Sequence, residues 1–112
     1  DVALDTFPYN GTTTTCEALW MGLPVVSLSG HTHAARVGAS LLDAVGLGDT
    51  VAHTPAEYVD RALEALAAAR AHPAARSARR DLVAASPLCD GPAHARSVER
   101  ALESLWTKRN AC

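Results

Sequence analysis

The sequence predicts an α/β fold in which a short parallel sheet, flanked by helices, is followed by a helical tail. Residues 1–53 alternate in the order strand, helix, strand, helix, strand, which is typical of a parallel sheet. The run 24–28 is almost continuously apolar, as in a strand buried on both faces, whereas residues 54–112 carry only helical patterns. Three strands are fewer than the five or six of a doubly wound domain. We therefore interpret the chain as the C-terminal half of a nucleotide-binding lobe whose other strands lie upstream.

Turn residues and glycines delimit the elements of the first half. Strands are predicted at residues 2–4, 24–28 and 50–52. Helices are predicted at residues 12–21 and 34–45, where apolar residues recur at helical spacing. Gly22 and Gly46 follow these two helices, and glycine commonly ends a helix because it adopts a left-handed conformation at little cost. The cluster at residues 8–11 predicts a turn before the first helix.

The second half is predicted to contain three amphipathic helices. Thr54 and Pro55 open the first as an N-cap and a first-turn proline, and Pro73 separates it from a shorter helix that ends near residue 85. The last helix ends near residue 109. Apolar stripes expected to be buried are Val59, Ala62, Leu63 and Leu66 in the first helix and Val98, Ala101, Leu102, Leu105 and Trp106 in the last. We expect these helices to pack on the lobe, and we expect Trp20 and Tyr58 to be core residues.

Composition excludes several classes of protein. Ten basic residues stand against twelve acidic ones in a chain of 112, so a basic nucleic-acid footprint is not expected. No apolar run approaches the ~20 residues that span a bilayer, and we expect no membrane partner.

The chain lacks an initiator Met and a signal-like start, which predicts a piece of a longer protein. Abundant alanine, and arginine as nine of the ten basic residues, suggest a bacterial source.

The three cysteines are Cys16, Cys89 and Cys112. Their number is odd and their spacing is wide, which fits neither a zinc finger nor a redox pair. We interpret them as free thiols of a reducing compartment and expect a cytoplasmic protein. Cys16 is expected to be a packing residue.

The segment from Asn10 to Glu17 combines features of a phosphate-binding site. It lies where a strand turns into a helix, and open parallel sheets bind ligands beyond the carboxyl ends of their strands. The helix start offers unpaired N–H groups and a partial positive charge, and Gly11 allows a ligand to approach the backbone. Threonines 12–15 add hydroxyl donors, and Glu17 could accept bonds from a ribose diol. The alternative is that the threonines only cap the helix and that Glu17 is solvated.

Two histidines lie close together after the second predicted strand. His31 and His33 could hold a metal with His53 or Cys89 as a third ligand, but no third ligand lies nearby in the sequence, and we expect no metal site. They are expected in a loop at a helix start that faces the same ligand site, from which His33 could reach a bound ligand as a minor contact.

Charged residues outside that segment receive structural interpretations. Arg36 is expected to pair with a carboxylate or a carbonyl, and a phosphate contact is the lesser option. For Asp5 an Asx turn is favoured over a role in fixing the loop at residues 6–11. The cluster expected to form a solvated helical face is Arg70, Arg76, Arg79 and Arg80.

The chain resembles the C-terminal catalytic lobe of the O-GlcNAc transferase / SPINDLY family, which consists of GT41-type glycosyltransferases. The resemblance rests on the run Leu4-Asp5-Thr6-Phe7-Pro8-Tyr9-Asn10-Gly11-Thr12-Thr13-Thr14-Thr15-Cys16-Glu17-Ala18-Leu19-Trp20-Met21-Gly22-Leu23-Pro24-Val25-Val26. Later landmarks follow in the same order, at residues 36–42, 45–48, 57–58, 86–92 and 99–106. The resemblance implies a GT-B enzyme with two Rossmann-like lobes, of which the C-terminal one holds the nucleotide half of a nucleotide-sugar donor.

The resemblance also implies roles for particular residues. Thr12, Thr13 and Thr14 match the positions that bind the donor diphosphate, Glu17 matches the acidic residue that holds the ribose, and Asn10 and Gly11 belong to the supporting loop. Animal O-GlcNAc transferases carry His at the first of these threonine positions and Asp at the ribose position. The threonine run and the Cys-Asp-Gly-Pro motif at residues 89–92 are closer to the SPINDLY branch.

The function implied is transfer of GlcNAc from UDP-GlcNAc to Ser or Thr of proteins, with inversion. One alternative is protein O-fucosylation from GDP-fucose, as in plant SPINDLY, and another is a non-catalytic nucleotide-sugar-binding or scaffold domain. No cofactor or metal is expected, no residue of this chain is assigned to catalysis, and the protein acceptor is expected to bind mainly to upstream parts. The chain on its own is therefore expected to be inactive.

Overall fold

A computed structural model describes residues 1–111, and Cys112 lies outside them. Its three strands are β1 (Ala3–Leu4), β2 (Val25–Leu28) and β3 (Val51–Ala52). They form a parallel sheet in the order β1-β2-β3, and all four residues of the central strand are buried. The predicted α/β class with a short parallel sheet is confirmed.

Five helices accompany the sheet within residues 1–111. They are α1 (Thr13–Trp20), α2 (Val37–Ala44), α3 (Pro55–Ala71), α4 (Ala75–Ala84) and α5 (Gly91–Asn110), with short 3-10 turns at Gly48–Thr50 and Pro87–Cys89. Helix α2 begins later than predicted because turns occupy the preceding segment, where the N–H groups of Ala35 and Arg36 bond to the carbonyls of Thr32 and His33. No helix among residues 1–111 combines the length and apolarity needed to cross a membrane.

Helix ends follow the sequence signals. Gly22 and Gly46 have φ angles of 71° and 75°, the left-handed conformation expected of glycine after a helix. At the start of α3, the Thr54 hydroxyl accepts a hydrogen bond from the Glu57 N–H at 3.2 Å, while the Glu57 carboxylate accepts one from the His53 N–H at 2.8 Å. This second bond lowers the pKa of Glu57, because it favours the charged carboxylate.

The core lies between the sheet and the helices around it. One cluster of contacting core residues contains Leu19, Val25, Leu42, Val45, Val51 and Val83. These residues come from α1, β2, the end of α2, β3 and α4. The core therefore joins the alternating first half of the chain to α4 in the helical tail.

The apolar stripes of the tail do not become core. Leu102 and Trp106 on α5 are 61% and 69% exposed, and Val59 on α3 is also exposed. Helices α2 and α3 contact β2, and α4 contacts α1, whereas α5 contacts the turn at Pro87–Cys89. The expectation that α5 packs through Leu102, Leu105 and Trp106 is therefore wrong for the described residues, since the sheet and α1 are covered by other helices.

The arginines of α4 contact the C-terminal end of α1. Arg76 Nε donates to the Met21 carbonyl at 2.7 Å, and Arg79 Nε donates to the Gly22 carbonyl at 2.9 Å. These carbonyls lie where the helix dipole is negative, so the cations are well placed. The solvated-face interpretation is wrong for these two residues.

Trp20 is 42% exposed, so the core interpretation is wrong for this residue. The Arg80 guanidinium lies over its ring, 4.7 Å from the centroid, and an arginine at that distance is attracted to the aromatic face. Arg80 therefore also departs from the solvated-face interpretation.

Candidate functional site

The loop after β1 is organised by a buried carboxylate. Asp5 accepts hydrogen bonds from the Gly11 N–H at 2.8 Å, the Thr15 hydroxyl at 3.4 Å and the Ser27 hydroxyl at 2.6 Å. These donors belong to the loop, to α1 and to β2. The Asx-turn interpretation of Asp5 is wrong, and the alternative, that it fixes the loop, is confirmed.

Asn10 connects the same loop to α2. Its side chain is 1% exposed, its Nδ2 donates to the Thr6 carbonyl at 3.0 Å, and its Oδ1 accepts from the Gly38 N–H at 3.1 Å. The Asn10 N–H donates to the Ala34 carbonyl at 2.9 Å. An N–H group in the first turn of α2 is thereby satisfied by a residue of the loop that precedes α1.

Two glycines permit this close packing. A Cβ at Gly11 would lie 2.5 Å from the Thr14 hydroxyl oxygen and 2.9 Å from that of Thr15, and a Cβ at Gly38 would overlap the side chains of Asp5 and Ser27. The first turns of α1 and α2 can approach the Asp5 carboxylate only because no side chain stands at these positions.

The threonine run divides into exposed and buried members. Thr12, Thr13 and Thr14 are exposed, whereas Thr15 is buried and turned toward Asp5. Thr12 occupies the N-cap position but makes no side-chain capping bond, which disfavours the capping interpretation of this residue. The first helical bond runs from the Cys16 N–H to the Thr12 carbonyl, so the N–H groups of residues 13–15 precede the helical ladder.

Glu17 lies one turn further along α1 and is exposed. Residues 13 and 17 of a helix are neighbours on one face. The carboxylate of Glu17 and the hydroxyl of Thr13 therefore share the exposed side of α1. The structure places the predicted ribose and diphosphate positions on adjacent turns.

A cleft of about 870 Å³ opens beside the start of α1. Its lining comes from the carboxyl ends of β2 and β3, from α2 and from the turn after it. The lining residues are Thr12, Ser29, His31, His33, Arg36, Val37, Ala39, Ser40, Leu41, Asp43, Gly48, Val51 and His53. The structure thus brings Thr12 and His33 to one cleft, while Thr13, Thr14 and Glu17 are outside its lining.

The cleft lining is rich in groups that can bind anions. His31, His33 and His53 contribute imidazoles, Arg36 contributes a permanent cation, and Thr12 contributes a hydroxyl. Within residues 1–111, no three His, Cys, Asp or Glu side chains are grouped so that they could hold a metal ion. Because the lining combines one carboxylate with these donors, it suits a polar ligand.

Three residues of the site were missed in the sequence. Ser27 is the one polar residue in the strand Val25–Leu28, which was the available signal for a buried hydrogen-bonding role. Gly38 carried no distinguishing signal. Tyr58, expected in the core, is half-buried and its hydroxyl donates to the Asp5 carbonyl at 2.7 Å. Burial, and the nearby charge of Asp5, raise the pKa of Tyr58, so the phenol stays protonated and continues to donate.

The architecture and the loop at its carboxyl edge define one lobe of an α/β protein with a candidate ligand site. Residues 1–98 match the model of glycosyl transferase family 41, and the chain belongs to that family. The resemblance to the O-GlcNAc transferase / SPINDLY family is therefore confirmed.

Similar plant proteins and a solved structure agree with this assignment. The chain is 50% identical over 106 residues to a Hordeum vulgare protein, and 48% identical over 108 residues to an Arabidopsis thaliana protein. Both are named "Probable UDP-N-acetylglucosamine--peptide N-acetylglucosaminyltransferase SPINDLY". A mutant of the Thermobaculum terrenum O-GlcNAc transferase superposes with a TM-score of 0.86 at 37% identity.

Coverage is unequal in these comparisons. The matches cover 95% and 96% of this chain but only 11% and 12% of the two plant proteins. The Thermobaculum terrenum structure is matched over 99% of this chain and 22% of its own. The chain therefore spans a small part of the proteins that it resembles.

Proposed function

We propose that this chain is the nucleotide-sugar-binding part of a protein O-glycosyltransferase that transfers GlcNAc from UDP-GlcNAc to Ser or Thr with inversion. The observation that carries the proposal is the start of α1. Three exposed threonines and the N–H groups of the first turn stand there without a side-chain cap. The names of the plant relatives support the choice of UDP-GlcNAc.

The chemistry requires stabilisation of a leaving nucleoside diphosphate. Negative charge grows on the diphosphate as the bond to the sugar breaks, and donors already fixed in position stabilise it without reorganising. The hydroxyls of Thr12, Thr13 and Thr14 and the positive end of the α1 dipole supply those donors. Glu17 binds the ribose hydroxyls, and His33 is a minor donor contact from the adjoining cleft.

Several further parts of the proposal concern the rest of the protein. The acceptor protein and the catalytic base belong to regions outside this chain, which alone has no transferase activity. The chain needs no metal and no cofactor. The protein works in the cytoplasm, and we propose a bacterial source.

A panel of nucleotide-sugar donors distinguishes this proposal from two alternatives, protein O-fucosylation and a non-catalytic binding or scaffold domain. The residues at Thr12 and Glu17, which differ from those of animal O-GlcNAc transferases, support GDP-fucose as the second candidate donor. Incubation of the full-length gene product with UDP- and GDP-sugars measures hydrolysis and transfer. Preference for GDP-fucose would replace the donor assignment, and inertness toward the whole panel would favour a binding or scaffold domain.

Substitution of Glu17 tests the site itself. Glu17→Ala removes the carboxylate, whose charge-assisted hydrogen bonding to the ribose would contribute ~1.5–3 kcal/mol in total, so binding of UDP should weaken by roughly 10- to 100-fold. Glu17→Gln should fall between Ala and the unsubstituted protein. Glu64→Ala, at an exposed position of α3, is the matched control and should bind normally.

Titration calorimetry and a melting curve distinguish the two interpretations of Glu17. A surface Glu in the second turn contributes at most ~1 kcal/mol through the helix dipole, so the melting temperature should change little. Unchanged affinity with a lowered melting temperature would show that Glu17 is only structural and would remove the main support for a ribose site.

A further inference from the structure

We propose that Asp5 and Asn10 are positioning residues, which lock the loop after β1 and the first turns of α1 and α2 into one rigid donor-binding edge. The inference rests on the proposed function, since it concerns how the same site is held. Neither side chain reaches the diphosphate positions itself. Both act through the backbone and through other residues.

Asp5 fixes the start of α1 through hydrogen bonds from its buried carboxylate. Its Oδ1 receives the Gly11 N–H immediately before the threonine run and the Thr15 hydroxyl inside it. These two contacts bracket Thr12, Thr13 and Thr14, so the three exposed threonines stand on a segment held at both ends. Its Oδ2 is anchored to β2 through the Ser27 hydroxyl, which ties that segment to the buried central strand.

Asn10 extends the same support to the second helix. Its Oδ1 receives the Gly38 N–H from the first turn of α2, and this helix contributes Val37 and Ser40 to the cleft. Its Nδ2 donates to the Thr6 carbonyl, and this bond closes the loop from Thr6 to Asn10. The position of α2 relative to the loop before α1 therefore depends on one buried amide.

Burial explains why these contacts hold the geometry strongly. Asp5, Asn10, Thr15 and Ser27 are all buried polar residues, and a buried polar group that loses its partner carries a desolvation cost. The arrangement therefore has few alternatives of similar energy. Hydrogen-bond donors that are already held in place lose little conformational entropy when the diphosphate binds.

The test compares three variants of the full-length gene product by calorimetry with UDP and with GDP. Asp5→Ala removes both acceptor oxygens and should weaken binding of the preferred nucleotide about tenfold. Asp5→Asn keeps one acceptor for the Gly11 N–H, while the Ser27 hydroxyl can turn to accept, so it should restore part of the affinity. Asn10→Ala leaves the Gly38 N–H without an acceptor and should weaken binding independently.

Two controls separate positioning from loss of stability. Val83→Ala shortens a buried core side chain of α4 and should lower the melting temperature without changing the dissociation constant. Asp60→Asn makes the same chemical change as Asp5→Asn at an exposed position of α3 and should change neither. All affinities are measured at a temperature where every variant is folded. As an independent readout, hydrogen exchange of the Gly11 amide should be faster in Asp5→Ala, because that amide loses its acceptor.

The outcomes distinguish this inference from the proposed function. A protein that binds UDP or GDP equally well before and after Asp5→Ala and Asn10→Ala would overturn the inference alone. Loss of affinity in Val83→Ala at a similar drop in melting temperature would also overturn it. A wild-type protein that binds neither nucleotide would overturn the proposed function and the inference together.

Discussion

Gly38→Ala should destabilise the protein although alanine is the better helix former. Gly38 lies in the first turn of α2 and is buried. A Cβ there would overlap the Asp5 carboxylate and the Ser27 side chain. Alanine gains ~1 kcal/mol of helix propensity over glycine. Against this stand overpacking, ~2 kcal/mol, and disruption of the buried Ser27–Asp5 hydrogen bond, ~2 kcal/mol, so we expect a net loss of about 3 kcal/mol.

Gly91→Ala is the matched control for this substitution. Gly91 begins α5, and a Cβ there would meet nothing within 4 Å, so the same change should be neutral or should stabilise by up to ~1 kcal/mol. Urea unfolding of both variants gives the free energy of unfolding, and hydrogen exchange of residues 5–15 reports the loop directly. Equal stabilities of the two variants would refute the claim that α2 needs glycine to approach Asp5.

Two further predictions concern contacts outside the candidate site. Arg79→Met should lower the free energy of unfolding by about 1 kcal/mol, because it removes the hydrogen bond to the Gly22 carbonyl and a cation at the C-terminal end of α1. Arg96→Met, at an exposed position of α5, is the control and should change the free energy of unfolding little. Equal losses of stability in the two variants, measured by urea unfolding, would contradict the capping role of Arg79. Glu57 has a lowered pKa because of the His53 N–H, so it stabilises the fold above its unfolded pKa, near 4.5, and this contribution disappears as the pH falls through the lower folded value. The difference in melting temperature between wild type and Glu57→Gln should therefore shrink between pH 5 and pH 3, and a constant difference would show that the carboxylate charge contributes nothing.

Local features of the fold were predictable from the sequence, because their causes are close together in the chain. Helix α1 ends before Gly22 since glycine alone readily adopts the left-handed angle there. Helix α3 begins after Thr54, whose hydroxyl receives the N–H three residues later. Such signals require no knowledge of tertiary structure.

Features that depend on distant partners were not predictable in the same way. The sequence around Asp5 favours a local turn, but one of its partners, Ser27, lies 22 residues away on the neighbouring strand. The sequence around Arg79 favours a solvated face, but its side chain bonds to the end of α1 across 57 residues. The apolar period of α5 predicts a buried stripe, but periodicity does not identify the surface that a helix will meet.

The candidate site combines features that were predictable from the sequence with features that were not. The position of Thr12 at a helix start was predicted correctly, because strand-to-helix order and a glycine are visible in the sequence. The division into exposed Thr14 and buried Thr15 was not predicted, since it depends on how the Asp5 carboxylate faces α1. The sequence located the segment, and the long-range hydrogen bonds determine which of its side chains are accessible.

The location of a bound nucleoside diphosphate tests the central claim most directly. A crystal structure of the full-length gene product with UDP should place the diphosphate oxygens ~2.7–3.2 Å from the N–H groups and hydroxyls of Thr13 and Thr14, beside Thr12, with the ribose hydroxyls on Glu17. A diphosphate bound in the cleft at His31 and away from the start of α1, or bound elsewhere in the protein, would contradict the account.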